Sequence, residues 1–120
     1  MSKIILLVED NYDTRDFMKI FLELLDCSVI VATNGQEAVE IVQQIVPDLI
    51  LMDIAMPVMC GLTATKIIRE LKCSSQVPIV ALTAYTDYFE QDAFEMGCNE
   101  LIQKPIDSVR LERVLSQYLQ

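Results

Sequence analysis

Short, continuous apolar runs alternate along this chain with segments whose apolar residues recur at helical spacing, and this alternation constrains the fold more than any other feature. The runs are Ile4 to Val8, Ser28 to Ala32, Leu49 to Met52, Ile79 to Leu82 and a short Leu101 to Gln103. Runs without a polar residue at every second position belong to strands buried on both faces, as in a parallel sheet. Helical stripes fill the gaps. Phe17, Ile20, Phe21, Leu24 and Leu25 predict a first amphipathic helix. Ala38, Ile41, Val42 and Ile45 predict a second, between the Asn34-Gly35 turn and Pro47. Pro57 and Gly61 punctuate a loop before Ala64, Ile67, Ile68 and Leu71. Residues 87–96 predict a fourth helix closed by Gly97. Leu111, Val114, Leu115, Tyr118 and Leu119 predict a last one, capped by Asp107 or Ser108. Five repeats of strand then helix make an α/β fold, a parallel sheet wrapped by helices through right-handed crossovers. Residues 1–120 are expected to form one domain.

Charge narrows the partners. The chain carries nine Lys and Arg against eighteen Asp and Glu, a net −9 with no basic cluster, so direct nucleic-acid binding is not expected. A cation, or a protein with a basic face, suits it better. The opening run stops at Glu9-Asp10 without a cleavage pattern, and no run nears the ~20 apolar residues of a membrane span; a cytoplasmic protein is expected. Cys27, Cys60, Cys73 and Cys98 are scattered, which reads as four reduced thiols. Histidine is absent, which excludes Ser-His and Cys-His nucleophile pairs.

Ligands of an open parallel sheet bind beyond the carboxyl ends of its strands. The residues that follow the apolar runs are therefore the candidates: Glu9 and Asp10, then Asp53, then Thr83, then Lys104. Taken singly, each has an ordinary reading. Glu9 and Asp10 suit a loop, with Asp10 or Asn11 capping the first helix; Asp53 suits a turn, Thr83 a strand end, and Lys104 a solvated surface. Their joint arrival at successive strand ends singles them out. Three carboxylates brought together repel, and at neutral pH they need raised pKa values or a cation. Oxygen ligands with open positions suit Mg²⁺. A carboxylate is also a nucleophile toward phosphorus, and a cation, an ammonium and a hydroxyl would neutralise the phosphoryl oxygens. The set is coherent for phosphoryl transfer onto Asp53.

At these residues the chain resembles the receiver domains of two-component response regulators. The likeness rests on V-E-D-N at 8–11, L-I-L-M-D-I-x-M-P-V-M-x-G at 49–61, V-A-L-T-A at 80–84 and K-P-I at 104–106. It implies a flavodoxin-like, doubly wound five-stranded sheet of order 2-1-3-4-5 with five helices. It further implies that Asp53 accepts a phosphoryl group from a phosphohistidine on a sensor histidine kinase or phosphotransfer protein. Glu9, Asp10, Asp53 and the backbone carbonyl of Ala55 match a Mg²⁺ site, with Mn²⁺ able to substitute and Glu9 acting through water. Lys104 matches the phosphoryl-contacting lysine, followed by a cis bond to Pro105. Thr83 matches the hydroxyl that couples the phosphate to distant surface change. Self-dephosphorylation, output to an unknown downstream protein, and a homodimer through the fourth helix, fifth strand and fifth helix also follow from the likeness.

Three positions depart from that pattern. Leu101 stands where an aromatic switch residue is usual, leaving Tyr85, Tyr88 or Phe89 as steric substitutes. Cys60 stands before Gly61 and reads as a neutral loop thiol. Tyr85 is bulky enough to shield the phosphoryl group from water. Tyr88, Phe89 and Phe94 suit ordinary helix packing and a partner face equally. A single-domain regulator leads; a receiver fragment of a hybrid kinase or larger regulator reads similarly. An aspartyl-phosphate phosphatase would place a second aspartate where Ala55 stands, and a flavin-binding protein would not put Glu9-Asp10 in its phosphate loop.

Overall fold

The computed structural model describes residues 2–56 and 58–119; Pro57, read above as loop punctuation, lies outside them. Five strands, β1 (Ile4–Val8), β2 (Ser28–Ala32), β3 (Leu49–Asp53), β4 (Ile79–Thr83) and β5 (Glu100–Gln103), alternate with five helices. The helices are α1 (Tyr12–Leu24), α2 (Gly35–Val42), α3 (Gly61–Glu70), α4 (Thr86–Met96) and α5 (Ser108–Tyr118), with a 3₁₀ turn at Lys72–Ser74. All strand pairs are parallel and the order is β2-β1-β3-β4-β5, as expected.

The strands are apolar at consecutive positions because each face of the sheet has its own core. Leu6, Val8, Ile50, Met52, Ile79 and Ala81 meet α2, α3 and α4 through Val42, Ile68 and Ala93. The alternate residues Ile5, Leu7, Leu49, Leu51, Val80 and Leu82 meet α1 and α5 through Met18, Leu22, Leu111 and Val114. A fully buried aliphatic side chain contributes about 1.5–3 kcal/mol, so the two layers carry most of the stability.

The first helix corrects the sequence reading. Its buried residues are Met18 and Leu22, whereas Phe17, Ile20 and Leu24 face solvent at 59%, 51% and 75% exposure. Only Phe21 and Leu25 of the expected stripe are partly buried. Ile45 is likewise exposed, since α2 ends at Val42, and Val39 takes the buried place instead. Asn11 caps α1 by accepting from Thr14 N–H at 3.0 Å, and Asp107 caps α5 by accepting from Arg110 N–H at 2.8 Å.

Two contacts outside the helical pattern set loop geometry. Gly61 opens α3 so close to β3 that an added Cβ would collide with the Asp53 carbonyl oxygen. At the far edge, Gly97 ends α4 at φ 111°, and its carbonyl accepts from Arg69 Nε at 2.8 Å. The same guanidinium donates to the carbonyls of Ser74 and Ser75 and to Asn99 Oδ1. Asn99 Oδ1 in turn accepts from Ile79 N–H at 2.8 Å. One arginine thus joins α3, the 3₁₀ turn, the start of β4 and the C-terminal end of α4.

Candidate functional site

Register decides which side chains converge. Val8 pairs with Met52, Asp53 with Leu82, and Thr83 with Gln103, so β1, β3, β4 and β5 end nearly level. Glu9, Asp10, Asp53, Thr83 and Lys104 all line one cleft of about 440 Å³ at that edge, as the strand-end argument anticipates, and Ala55 lies beside them. Asn11, Tyr12, Ala84 and Tyr85 complete its wall. Tyr12 escaped the sequence reading; its only signal was its place in the first turn after the acid pair.

Glu9 and Asp53 are buried, at 0% and 3% exposure, while Asp10 is exposed. One carboxylate oxygen from each of the three lies within 4.8 Å of the other two. Lys104 Nζ stands 2.9 Å from Glu9 Oε1 and 3.3 Å from Asp53 Oδ1. Glu9 Oε1 lacks a well-aligned hydrogen bond, so the ammonium holds it by charge rather than by direction. Glu9 Oε2 accepts from Asn11 N–H at 3.2 Å.

Burial and like-charge crowding both act on the ionisable groups of this cleft. Burial, then the neighbouring Glu9 charge, pushes the Asp53 carboxyl up to about 7, with Lys104 working in the opposite direction. Burial disfavours the charged form of Lys104, but Glu9 and Asp53 outweigh it and raise the ammonium above its ordinary value. A dense, all-oxygen donor set with an acid held partly protonated fits a small divalent cation, which would displace the proton and relieve the repulsion.

Thr83 is 2% exposed. Its Oγ1 accepts from Tyr85 N–H at 3.1 Å and its carbonyl accepts from Lys104 N–H at 2.8 Å. The Lys104-Pro105 bond is cis, as expected. Leu101 pairs with Ala81 and is half-buried, packing with Phe89 against the layer under α4; Tyr88 stays 79% exposed and meets Phe89 edge to face at 4.8 Å. Phe94 is also exposed, at 48%. Cys60 lies outside the acid cleft, in a groove with Met56, Leu62 and Phe89, its Sγ 3.3 Å from Thr63 Oγ1.

Arg15 was not foreseen either. Its Nη1 donates to the Glu9 carbonyl at 3.1 Å and approaches the Asp10 carbonyl at 3.4 Å, and its backbone N–H donates to Asn11 O at 2.9 Å.

Comparison with known proteins identifies the family. Residues 5–116 match the family described as the response regulator receiver domain. The polar-differentiation response regulator DivK of Brucella anthropi is 34% identical, with 99% of this chain and 98% of that protein aligned. Hybrid signal transduction histidine kinase G of Dictyostelium discoideum is 41% identical over 95% of this chain, which spans 3% of that much longer protein. Among solved structures, the receiver domain of sensor histidine kinase PA1611 from Pseudomonas aeruginosa, with magnesium coordinated in its active-site cleft, superimposes with a TM-score of 0.93 at 32% identity, covering 99% and 98% of the two chains. The receiver domain of Ssk1, co-crystallised with the phosphotransfer protein Ypd1 of Saccharomyces cerevisiae, gives 0.90 at 32% identity over 98% and 88%. The chain is a response regulator receiver domain, of the family that serves two-component and phosphorelay signalling.

Proposed function

We propose that the chain, as one receiver domain over residues 1–120, is a phosphoacceptor switch in which Asp53 takes a phosphoryl group from a phosphohistidine of a sensor histidine kinase or phosphotransfer protein. The carrying observation is Asp53 itself, buried at the end of β3 with two further carboxylates and an ammonium around it. An Asp53 oxygen attacks phosphorus as the phosphorus–nitrogen bond to the donor imidazole breaks, and the imidazole leaves with a proton from solvent. Glu9, Asp10, Asp53 and the Ala55 carbonyl would hold Mg²⁺, or Mn²⁺ in its place, and the cation supplies charge neutralisation at the phosphoryl oxygens. Magnesium in the PA1611 receiver and the Ypd1 partnership of Ssk1 support these assignments.

Lys104 moves from Glu9 toward the new phosphoryl oxygens, and Thr83 Oγ1 donates to another, giving up its bond from Tyr85 N–H. The domain also assists hydrolysis of its own aspartyl phosphate. The signal leaves by protein contact to a downstream protein, through a face of α4, β5 and α5 that also suits a homodimer. A histidine-kinase phosphodonor supports a cytoplasmic setting for the chain; among the described residues no helix is long and apolar enough to cross a membrane. The Dictyostelium likeness favours a second form of the same reading, the receiver portion of a longer kinase.

Incubation with MgCl₂ and acetyl phosphate, followed by intact-mass measurement, tests the reading. The expected result is one phosphoryl adduct on wild type and none on Asp53→Asn. Wild type without an adduct under any small donor overturns it.

A further inference from the structure

Among the described residues, no carboxylate oxygen forms an ion pair with the Arg15 guanidinium, although acids surround it. Its polar contacts go to main-chain oxygens instead. The β1–β2 pairing ends at Val8 and Ala32; Glu9 N–H still donates to Ala32 O at 3.0 Å, but among the described residues the Glu9 carbonyl on that same side receives no main-chain donor. Arg15, one turn into α1, supplies the missing donor. Its Nη1 reaches two consecutive carbonyls, those of Glu9 and Asp10, while the Asn11 carbonyl takes the ordinary first helical bond from the N–H of residue 15. Its guanidinium carbon also lies 5.4 Å from the centre of the Tyr12 ring, within cation–π range, which fixes the side chain across the loop.

We propose that Arg15 is the positioning residue of the cation site, holding the Glu9–Asp10 main chain so that the Glu9 and Asp10 carboxylates stay converged on Asp53. The inference rests on the cation reading above and adds a residue that touches neither cation nor phosphate. A bent three-residue loop between a strand and a helix cap has several accessible conformations, and two of its three side chains must meet a third acid within 4.8 Å. Fixing the carbonyls removes that freedom before the cation arrives, so less ordering is left to oppose binding.

The direction of the effect separates this role from simple charge. Arg15 is a cation near three carboxylates, and by Coulomb's law its removal alone would tighten Mg²⁺ binding. Loss of loop order would weaken it. The experiment is a titration of the intact chain with MgCl₂, followed by amide chemical shifts, for wild type, Arg15→Ala, Arg15→Lys and Lys19→Ala. Lys19, one turn further along α1 and paired with Glu23 at 3.4 Å, controls for loss of a positive charge.

Arg15→Ala is expected to raise the Mg²⁺ dissociation constant about tenfold, the lower end of what losing a side chain behind a metal ligand costs. Lys at position 15 should recover part of this, and Lys19→Ala should bind as wild type or tighter. Without Mg²⁺, the amides of residues 10–14 should exchange faster in Arg15→Ala while those of β3 do not. Phosphorylation of Arg15→Ala at saturating Mg²⁺ should approach the wild-type rate. Unchanged or tighter Mg²⁺ binding by Arg15→Ala overturns the proposal and leaves the cation reading intact. So does equal weakening by Lys19→Ala. A wild-type chain that takes up no Mg²⁺ overturns the cation reading and this proposal with it.

Discussion

Lys104 Nζ stands closer to Glu9, at 2.9 Å, than to Asp53, at 3.3 Å, so the lysine is held chiefly by Glu9 and less by the proposed acceptor. The pair is asymmetric in exposure as well, with side chains 25% and 1% accessible. Lys104→Met should therefore do more than remove a phosphate contact. It leaves two buried carboxylates without a counter-charge, and breaking a buried pair from one side costs about 3–5 kcal/mol. Urea unfolding at pH 8 without divalent cations should register that loss, and Glu9→Gln in the same chain should recover part of it.

The Asp53 carboxyl makes metal-free stability depend on pH. Its folded value is about 7 against an ordinary 3.8, so between these limits the folded protein binds the proton more tightly than the unfolded chain. Stability should accordingly fall as pH rises from about 4 to about 7, then level off. Asp53→Asn should flatten that slope. Saturating Mg²⁺ should flatten it too, so the stabilisation by Mg²⁺ is larger at pH 8 than at pH 5. Thermal unfolding across this range, with and without MgCl₂, checks both.

Tyr85 stands at the rim of the acid cleft, 67% exposed, with its N–H on the Thr83 hydroxyl. A ring there would screen the position from which water attacks the proposed acyl phosphate. Tyr85→Ala should shorten the lifetime of the phosphorylated chain several-fold, at roughly the wild-type phosphorylation rate. An unchanged decay of the adduct by intact mass would remove the shielding role.

Leu22 and Leu24 make the sharpest test of the first helix. Leu22 is fully buried and Leu24 is 75% exposed. Leu22→Ala should cost about 2–5 kcal/mol and Leu24→Ala about 0.5 kcal/mol or less. The reverse order in denaturant midpoints would mean that α1 is rotated about its axis from the orientation described.

That helix also marks where sequence reasoning loses its hold. Continuous apolar runs located all five strands because burial on both faces leaves no polar alternation to misread, and the residues ending those runs named the acid cleft. In α1, apolar residues cover more than half the circumference: Phe17, Ile20 and Leu24 on one side, Met18, Leu22 and Leu25 on the other. Spacing alone cannot choose between two overlapping stripes; packing against the face of β1 and β2 does. Arg15 and Arg69 were invisible for a different reason. Both bond to main-chain carbonyls, and no pattern of side chains reveals which carbonyls a fold leaves without donors.

The Arg69 cluster has a mechanical consequence. The C-terminal end of α4 is bolted to three neighbouring segments, whereas its N-terminal end lacks a side-chain cap and meets the β4 terminus through Tyr85 N–H on one hydroxyl. Ala93 is the helix's one buried residue among those described. Such a helix is a beam held more firmly at one end: a disturbance starting at Thr83 would displace it most near Tyr85 and Tyr88 and least near Gly97. Its free end is also where its most exposed aromatic ring, Tyr88, meets solvent.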